Sequence, residues 1–204
     1  MKKAEIAVLV SGGGTNLQAL IDAQKSGIIQ NGVIKLVISN NYGAYALTRA
    51  ENNGIKNVVI SKKDCADQSD FEDKMIEVIK ENNIDLIVLA GFLSILSEKF
   101  TKTFADRIIN VHPALIPSFC GKGYYGLKVH EEALKKGVKV TGATVHFVNE
   151  IPDGGKIIMQ KAVDVLDGDT PEILQRRVME QAEWIILPAS VEKISKEIVL
   201  IKEN

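Results

Sequence analysis

Asn110 and His112 stand two residues apart at the end of the apolar run RIINVH, and two prolines follow in the stretch NVHPALIPSF. Residues two apart on a strand point to the same face. The pair therefore presents an amide and an imidazole side by side where a strand is about to stop. An amide there can donate a fixed hydrogen bond to a developing oxyanion, and an imidazole can do the same or move a proton. A proton-moving histidine normally has an orienting carboxylate. The candidate is Asp153 in IPDGG, an acid in a turn whose two glycines let the backbone close tightly, although a plain Asp-Gly hairpin turn has the same appearance. The other two histidines are His130 and His146. His130, in LKVHEEALKKG, reads as a surface helix residue. His146, in TVHF, is open between a satisfied core histidine and an inward group that supports the pair.

A second candidate lies near the N-terminus. SGGGTNL begins where the first apolar run ends and where a helical pattern starts. Glycines allow a sharp turn and a close backbone approach, and the free N–H groups of a helix N-terminus attract an anion. No Gly-Lys-Ser/Thr follows, so the loop is not a Walker A motif. A dinucleotide fingerprint would need glycine at position 17, which is Leu17. A phosphomonoester site fits better than either.

These groups need a scaffold that brings them together. The runs EIAVLVS (5–11), IKLVISN (34–40), NVVIS (57–61), DLIVLAG (85–91) and RIINVH (107–112) alternate with helical patterns. One of those patterns carries Phe71, Met75, Val78 and Ile79 on a single stripe. The alternation predicts an α/β fold with a doubly wound, mostly parallel sheet. GATVHFVNE (142–150) and KIIMQKAVDV (156–165) flank the IPDGG turn and predict an antiparallel addition near the C-terminus. A long amphipathic helix is expected from about Thr170, with T-P-E at its start. Ligands in such sheets bind outside the C-terminal ends of the strands, which places the chemistry at Ser11–Asn16, Gly91–Leu96 and Asn110–Pro117.

Composition excludes several alternatives. Of 204 residues, 46% are hydrophobic and 25% charged, with 25 basic and 26 acidic side chains and a formal net charge of −1. Such a balance argues against nucleic-acid binding, which calls for a basic excess or stripe. Lys62-Lys63 reads as part of a solvated loop. Cys65 and Cys120 belong to no metal or disulfide pattern, so a reducing compartment is expected. The segment IAVLV is too short for a signal peptide core. IDLIVLAGFLSIL (84–96) is interrupted by Gly91 and falls short of the ~20 residues of a membrane span. The expectation is a cytoplasmic chain with one domain over residues 1–204, no membrane and no metal.

With these residues in view, N-x-H-P-x-L-x-P (Asn110 to Pro117) followed by D-G-G (Asp153 to Gly155) resembles the folate-dependent formyltransferases. S-G-G-G-T-N-L-Q, AGFLSIL and DGGKIIMQ are similar to the branch that formylates glycinamide ribonucleotide. The resemblance runs from Ile6 to about Pro188. It implies a Rossmann-like formyltransferase fold and transfer of a formyl group from 10-formyltetrahydrofolate, a cosubstrate, to a primary amine in purine biosynthesis. It implies Asn110, His112 and Asp153 as the catalytic trio. Gly14, Thr15 and Asn16 match the loop for the substrate phosphate, and Glu183 matches a glutamate that holds the substrate amine. Gln68, Leu93, Ser94, Ile95 and Leu96, with Asn110 and the loop Asn149, Glu150, Ile151, Pro152 and Asp153, match the folate site. The partners it implies are these small molecules, with a monomer or homodimer as the assembly. Many members carry Arg where Ser94 and Gln68 stand here. The loop SFCGKGYYGLKVH is longer than in some members, and it offers Lys122 or Lys128 for an anionic contact. Relatives that hydrolyse the folate or formylate a tRNA or a sugar amine normally bring a further domain, for which this chain leaves no length. A non-catalytic phosphate sensor would need the glycine loop but not the trio.

Overall fold

The computed structural model describes residues 2–203. The five apolar runs become β1 (Ala4–Val10), β2 (Gly32–Ser39), β3 (Lys56–Val59), β4 (Leu86–Leu89) and β5 (Ile108–His112), all paired in parallel. β6 (Val140–Phe147) and β7 (Ile157–Asp164) add to β5 in antiparallel fashion. The sheet order is β3-β2-β1-β4-β5-β6-β7. β1 therefore lies between β2 and β4, and the direction of winding reverses there. That reversal opens a crevice beyond the C-terminal ends of β1 and β4.

Helices cover both faces: α1 (Thr15–Lys25), α2 (Tyr45–Asn52), α3 (Gln68–Glu81), α4 (Glu98–Thr103), α5 (Leu127–Lys136), α6 (Pro171–Val178) and α7 (Trp184–Glu203). Alternate residues of β1 enter opposite cores, as a period of two requires. Ile6, Val8 and Val10 pack with Leu17, Leu20 and Ile194, while Ala7 and Leu9 pack with Phe71, Met75 and Phe100. Each large apolar side chain buried in this way is worth about 1.5–3 kcal/mol. The expected loop at Lys62-Lys63 is a short exposed 3₁₀ turn, Lys62–Asp64. Among the described residues no helix is long and apolar enough to cross a membrane.

Two expectations need correction. The single helix from Thr170 is interrupted. Thr170 caps α6 through its side chain and Pro171 opens it, but Met179–Glu183 forms a π turn before α7 begins. A π turn inserts an extra residue into the helical register, a feature that apolar spacing does not encode. Its consequence is an inward Glu183, only 6% exposed.

His130 is the second correction. It is fully buried on the inner face of α5, beside Val129 and Ala133, and neither ring nitrogen has a hydrogen-bond partner. Burial, with His112 nearby, pushes its pKa from 6.5 down to about 4. The unfolded chain thus takes up a proton below pH 6.5 that the folded chain refuses until about pH 4. Stability contributed by the neutral ring is complete above that window and is lost as pH falls through it. Between about pH 7.5 and about pH 5 the loss amounts to about 2 kcal/mol. His130→Leu should remove that part of the acid sensitivity, read as urea unfolding free energies at the two pH values. An equal acid loss in wild type and variant contradicts the buried neutral ring.

Candidate active site

β5 delivers Asn110 and His112 to its C-terminal edge on one face. The DGG turn brings Asp153 to the same place from the β6–β7 connection. Asp153 adopts a left-handed backbone (φ 56), which aspartate tolerates better than most residues. Gly155 is required for close approach: a Cβ there would lie 1.7 Å from the Phe147 carbonyl oxygen. The turn is thereby folded flat against the end of β6, and Asp153 is aimed inward.

The three side chains line one cleft of about 680 Å³, whose other walls include Gly91–Ile95, Pro113 and Gly121–Gly126. His112 Nδ1 lies 3.6 Å from Asp153 Oδ2, and His146 Nε2 lies 3.5 Å from Asp153 Oδ1. Asp153 Oδ2 accepts from the Gly121 N–H at 2.8 Å. His112 Nε2 is 2.8 Å from the Phe119 carbonyl, which can only accept, so that nitrogen carries the proton and Nδ1 is the edge turned toward Asp153. His146 Nδ1 is in turn 2.8 Å from the Phe147 carbonyl, which fixes the proton there. Its Nε2 is left to accept from Asn110 Nδ2 at 3.3 Å. One N–H of the Asn110 amide is thus held by His146, while the other has no partner among the described residues.

The electrostatics follow from burial. Desolvation lowers the His112 pKa below 6.5, against the attraction of Asp153 and the Phe119 hydrogen bond. Asp153 therefore favours the imidazolium, but burial outweighs it and favours the neutral ring. For Asp153, burial acts upward. The adjoining imidazoles of His146 and His112 and the Gly121 N–H together outweigh it and hold the carboxyl below its ordinary range. Burial raises the Glu183 carboxyl, and the hydrogen bond from Asn16 opposes that rise.

A smaller chamber of about 130 Å³ adjoins the cleft and shares Asn110 and Asp153 with it. Leu96 and the loop from Asn149 through Glu150, Ile151 and Pro152 line it, as do Ser94 and Ile95, while Leu93 and Ser94 also line the larger cleft. Gln68 lines neither; its amide donates to Glu72 and to the Ile95 carbonyl. Of the two lysines with an expected anionic contact, Lys122 lines the cleft and Lys128 does not.

The glycine loop also lies outside the cleft walls but is wired to them. Gly14 sits at the N-cap of α1 with φ 71, and no side chain caps that helix. The first N–H groups, including those of Thr15 and Asn16, therefore project without the usual capping oxygen. Asn16 Nδ2 donates to Glu183 Oε2 at 2.6 Å, and Ser11 Oγ accepts from the Leu93 N–H at 2.9 Å. Arg49 Nε donates to the Gly13 carbonyl at 2.8 Å and stiffens the loop from α2.

Residues 4–191 match the formyl transferase family model. The chain belongs to the formyl transferase family. It is 41% identical to the phosphoribosylglycinamide formyltransferase of Haemophilus influenzae over 204 residues, which covers all of this chain and 92% of that protein. It is 43% identical to the human trifunctional purine biosynthetic protein adenosine-3, but spans only 19% of that protein's length. The crystal structure of glycinamide ribonucleotide transformylase 1 from Symbiobacterium toebii superposes with a TM-score of 0.89 at 37% identity, covering 96% of this chain and 89% of that one. The solved formyl transferase shares the seven-stranded, mostly parallel architecture seen here.

His146, Ser11 and Arg49 hold the candidate site residues through contacts that the sequence did not specify. His146 carried a signal in the inward phase of the alternation in TVHF, and Ser11 carried one in its place at the end of the first apolar run. Ser11 and Arg49 act through long-range bonds that no local pattern announces.

Proposed function

We propose that this formyl transferase moves the formyl group of 10-formyltetrahydrofolate to the glycyl amine of glycinamide ribonucleotide, a step of de novo purine biosynthesis. Residues 1–204 act as one formyltransferase unit, working in the cytoplasm on these two small molecules. The observation that carries the reading is the meeting of Asn110, His112 and Asp153 in one cleft beyond the C-terminal ends of β4 and β5. The uncapped start of α1 is tied to the buried Glu183 beside it.

Each side chain then has a task. The N–H groups of Gly14, Thr15 and Asn16 hold the substrate phosphate. Glu183 keeps one oxygen on Asn16 and offers the other to the glycyl amine. The cosubstrate supplies the formyl carbon. The smaller chamber suits its fused ring, since it joins apolar side chains to Leu96, whose backbone makes no hydrogen bond among the described residues. Asn110 donates its free N–H to the oxyanion that develops as the amine adds to that carbon. His112, neutral at rest, takes the proton lost by the new amide nitrogen, and Asp153 steadies the resulting imidazolium. The same proton returns to the folate nitrogen as its bond to the formyl carbon breaks, so charge and atoms balance without a covalent enzyme intermediate.

The test is formyl transfer by the purified protein, followed by the absorbance of the deformylated folate. Turnover should depend on glycinamide ribonucleotide and collapse when its phosphate is removed. Equal turnover without the amine would make the protein a hydrolase instead. Among the described residues no group of three or more His, Cys, Asp or Glu side chains could hold a metal. Incubation with EDTA is expected to leave the rate unchanged, and a loss reversed only by a divalent cation contradicts the assigned chemistry.

A further inference from the structure

The segment from Gly91 to Leu96, which walls the cleft and the smaller chamber, has no regular structure and makes no backbone–backbone hydrogen bond among the described residues. Its shape rests on side chains that reach in from other elements. Ser11 takes the Leu93 N–H, and Asn40 Nδ2 donates to Ser94 Oγ at 2.9 Å. Gln68 Nε2 donates to the Ile95 carbonyl at 3.3 Å. Glu72 Oε1 accepts from the Ser97 N–H at 2.8 Å, just beyond the wall.

Glu72 is the unusual member. It is 1% exposed, and it forms no ion pair among the described residues. A carboxylate buried without a countercharge is costly unless donors surround it. The donors here are Gln68 Nε2 at 2.6 Å, the Ser97 N–H and the Ser97 hydroxyl. That hydroxyl also accepts from the Phe100 N–H at 3.3 Å and so caps α4. One carboxylate thus locks α3, the start of α4 and, through Gln68, the Ile95 carbonyl. Neither Glu72 nor Gln68 lines the cleft or the smaller chamber, whereas Ser94 and Ile95 line both and Leu96 lines the smaller one.

We infer that Glu72 and Gln68 are positioning residues for the folate cosubstrate, fixing the backbone of Ser94–Leu96 against which its ring binds. This rests on the formyl-transfer reading. Gln68 then acts on the cosubstrate through the wall and not by touching it, and Glu72 belongs to the specificity apparatus as well as to the core.

Steady-state kinetics of Glu72→Gln, Gln68→Ala and the double variant test this, with 10-formyl-5,8-dideazafolate as the varied donor. Loss of a hydrogen bond to a charged group predicts a rise in KM for the donor of roughly tenfold or more in each single variant. KM for glycinamide ribonucleotide should stay within about twofold, since its site lies on α1 and the π turn. Because both residues act through one brace, the double variant should be no worse than Glu72→Gln. Gln68 is exposed, so its variant stays informative even where Glu72→Gln fails to fold. Equal rises for both substrates, an unchanged donor KM, or multiplicative losses in the double variant would each overturn the inference. A wild-type protein that transfers no formyl group sinks the functional reading itself, a separate outcome from any variant result.

Discussion

Asn110→Ala is expected to lower kcat by about 10²–10³ with little change in substrate KM, the loss typical of one oxyanion donor. The amide is held by His146 in an orientation that leaves one N–H for the reaction, so the interaction matters at the transition state and little before it. His112→Ala should cost at least as much, about 10²–10⁴ for a positioned acid–base group. Asp153→Asn keeps the shape but removes the charge that steadies the imidazolium, and about 10² or more is expected. It also places an amide where Gly121 donates its N–H, so the turn loses part of its anchor. In the proposed mechanism the three groups serve one intermediate. The Asn110→Ala, Asp153→Asn double variant should therefore fall short of the product of the single losses. Fully multiplicative losses, or a His112→Ala enzyme that keeps most of its kcat, would separate these residues from a shared transition state.

Gly14→Val should produce the largest effect on substrate recognition. The position has φ 71, which a β-branched residue tolerates poorly. A Cβ there would lie 2.6 Å from Ala46 Cβ and 2.9 Å from Ala46 Cα, so the loop or α2 must move. Either shift disturbs N–H groups that meet the phosphate. Losing one charge-assisted hydrogen bond raises KM for glycinamide ribonucleotide by roughly tenfold to a hundredfold. Strain and overpacking should lower Tm by several degrees, about 2–4 °C per kcal/mol for a chain of this size. Gly13→Ala is the control for stability, because a Cβ there meets nothing within 4 Å. Direct binding that weakens folate as much as glycinamide ribonucleotide in Gly14→Val would count against the phosphate-loop assignment.

The sheet was legible because buried parallel strands need long β-branched runs, and EIAVLVS, IKLVISN and DLIVLAG have no other reasonable use. The polar end of β5 was legible because polar residues interrupt such a run at its end only for a reason. Other features were hidden by their physics. His130 shares its helix face with Val129 and Ala133, so its spacing was correct for burial, but its polar type outweighed the spacing. The π turn at Met179–Glu183 is a matter of backbone register, which side-chain periodicity reports only through a slip of one residue. Glu72 sits four residues before Ile76 on an apolar stripe, yet its partner Ser97 lies on another element. An acid on such a stripe signals that something donates to it, without saying what.

The account stands most directly on where the formyl carbon goes. With 10-formyltetrahydrofolate labelled by carbon-13 at the formyl group, NMR of the reaction mixture follows that carbon in real time. The predicted result is transfer of the label to the glycyl nitrogen of glycinamide ribonucleotide, with no free formate formed in step and with transfer by the His112→Ala protein slowed by about 10²–10⁴. Release of the label as formate, at a rate indifferent to glycinamide ribonucleotide, would contradict direct transfer at the Asn110–His112–Asp153 cleft.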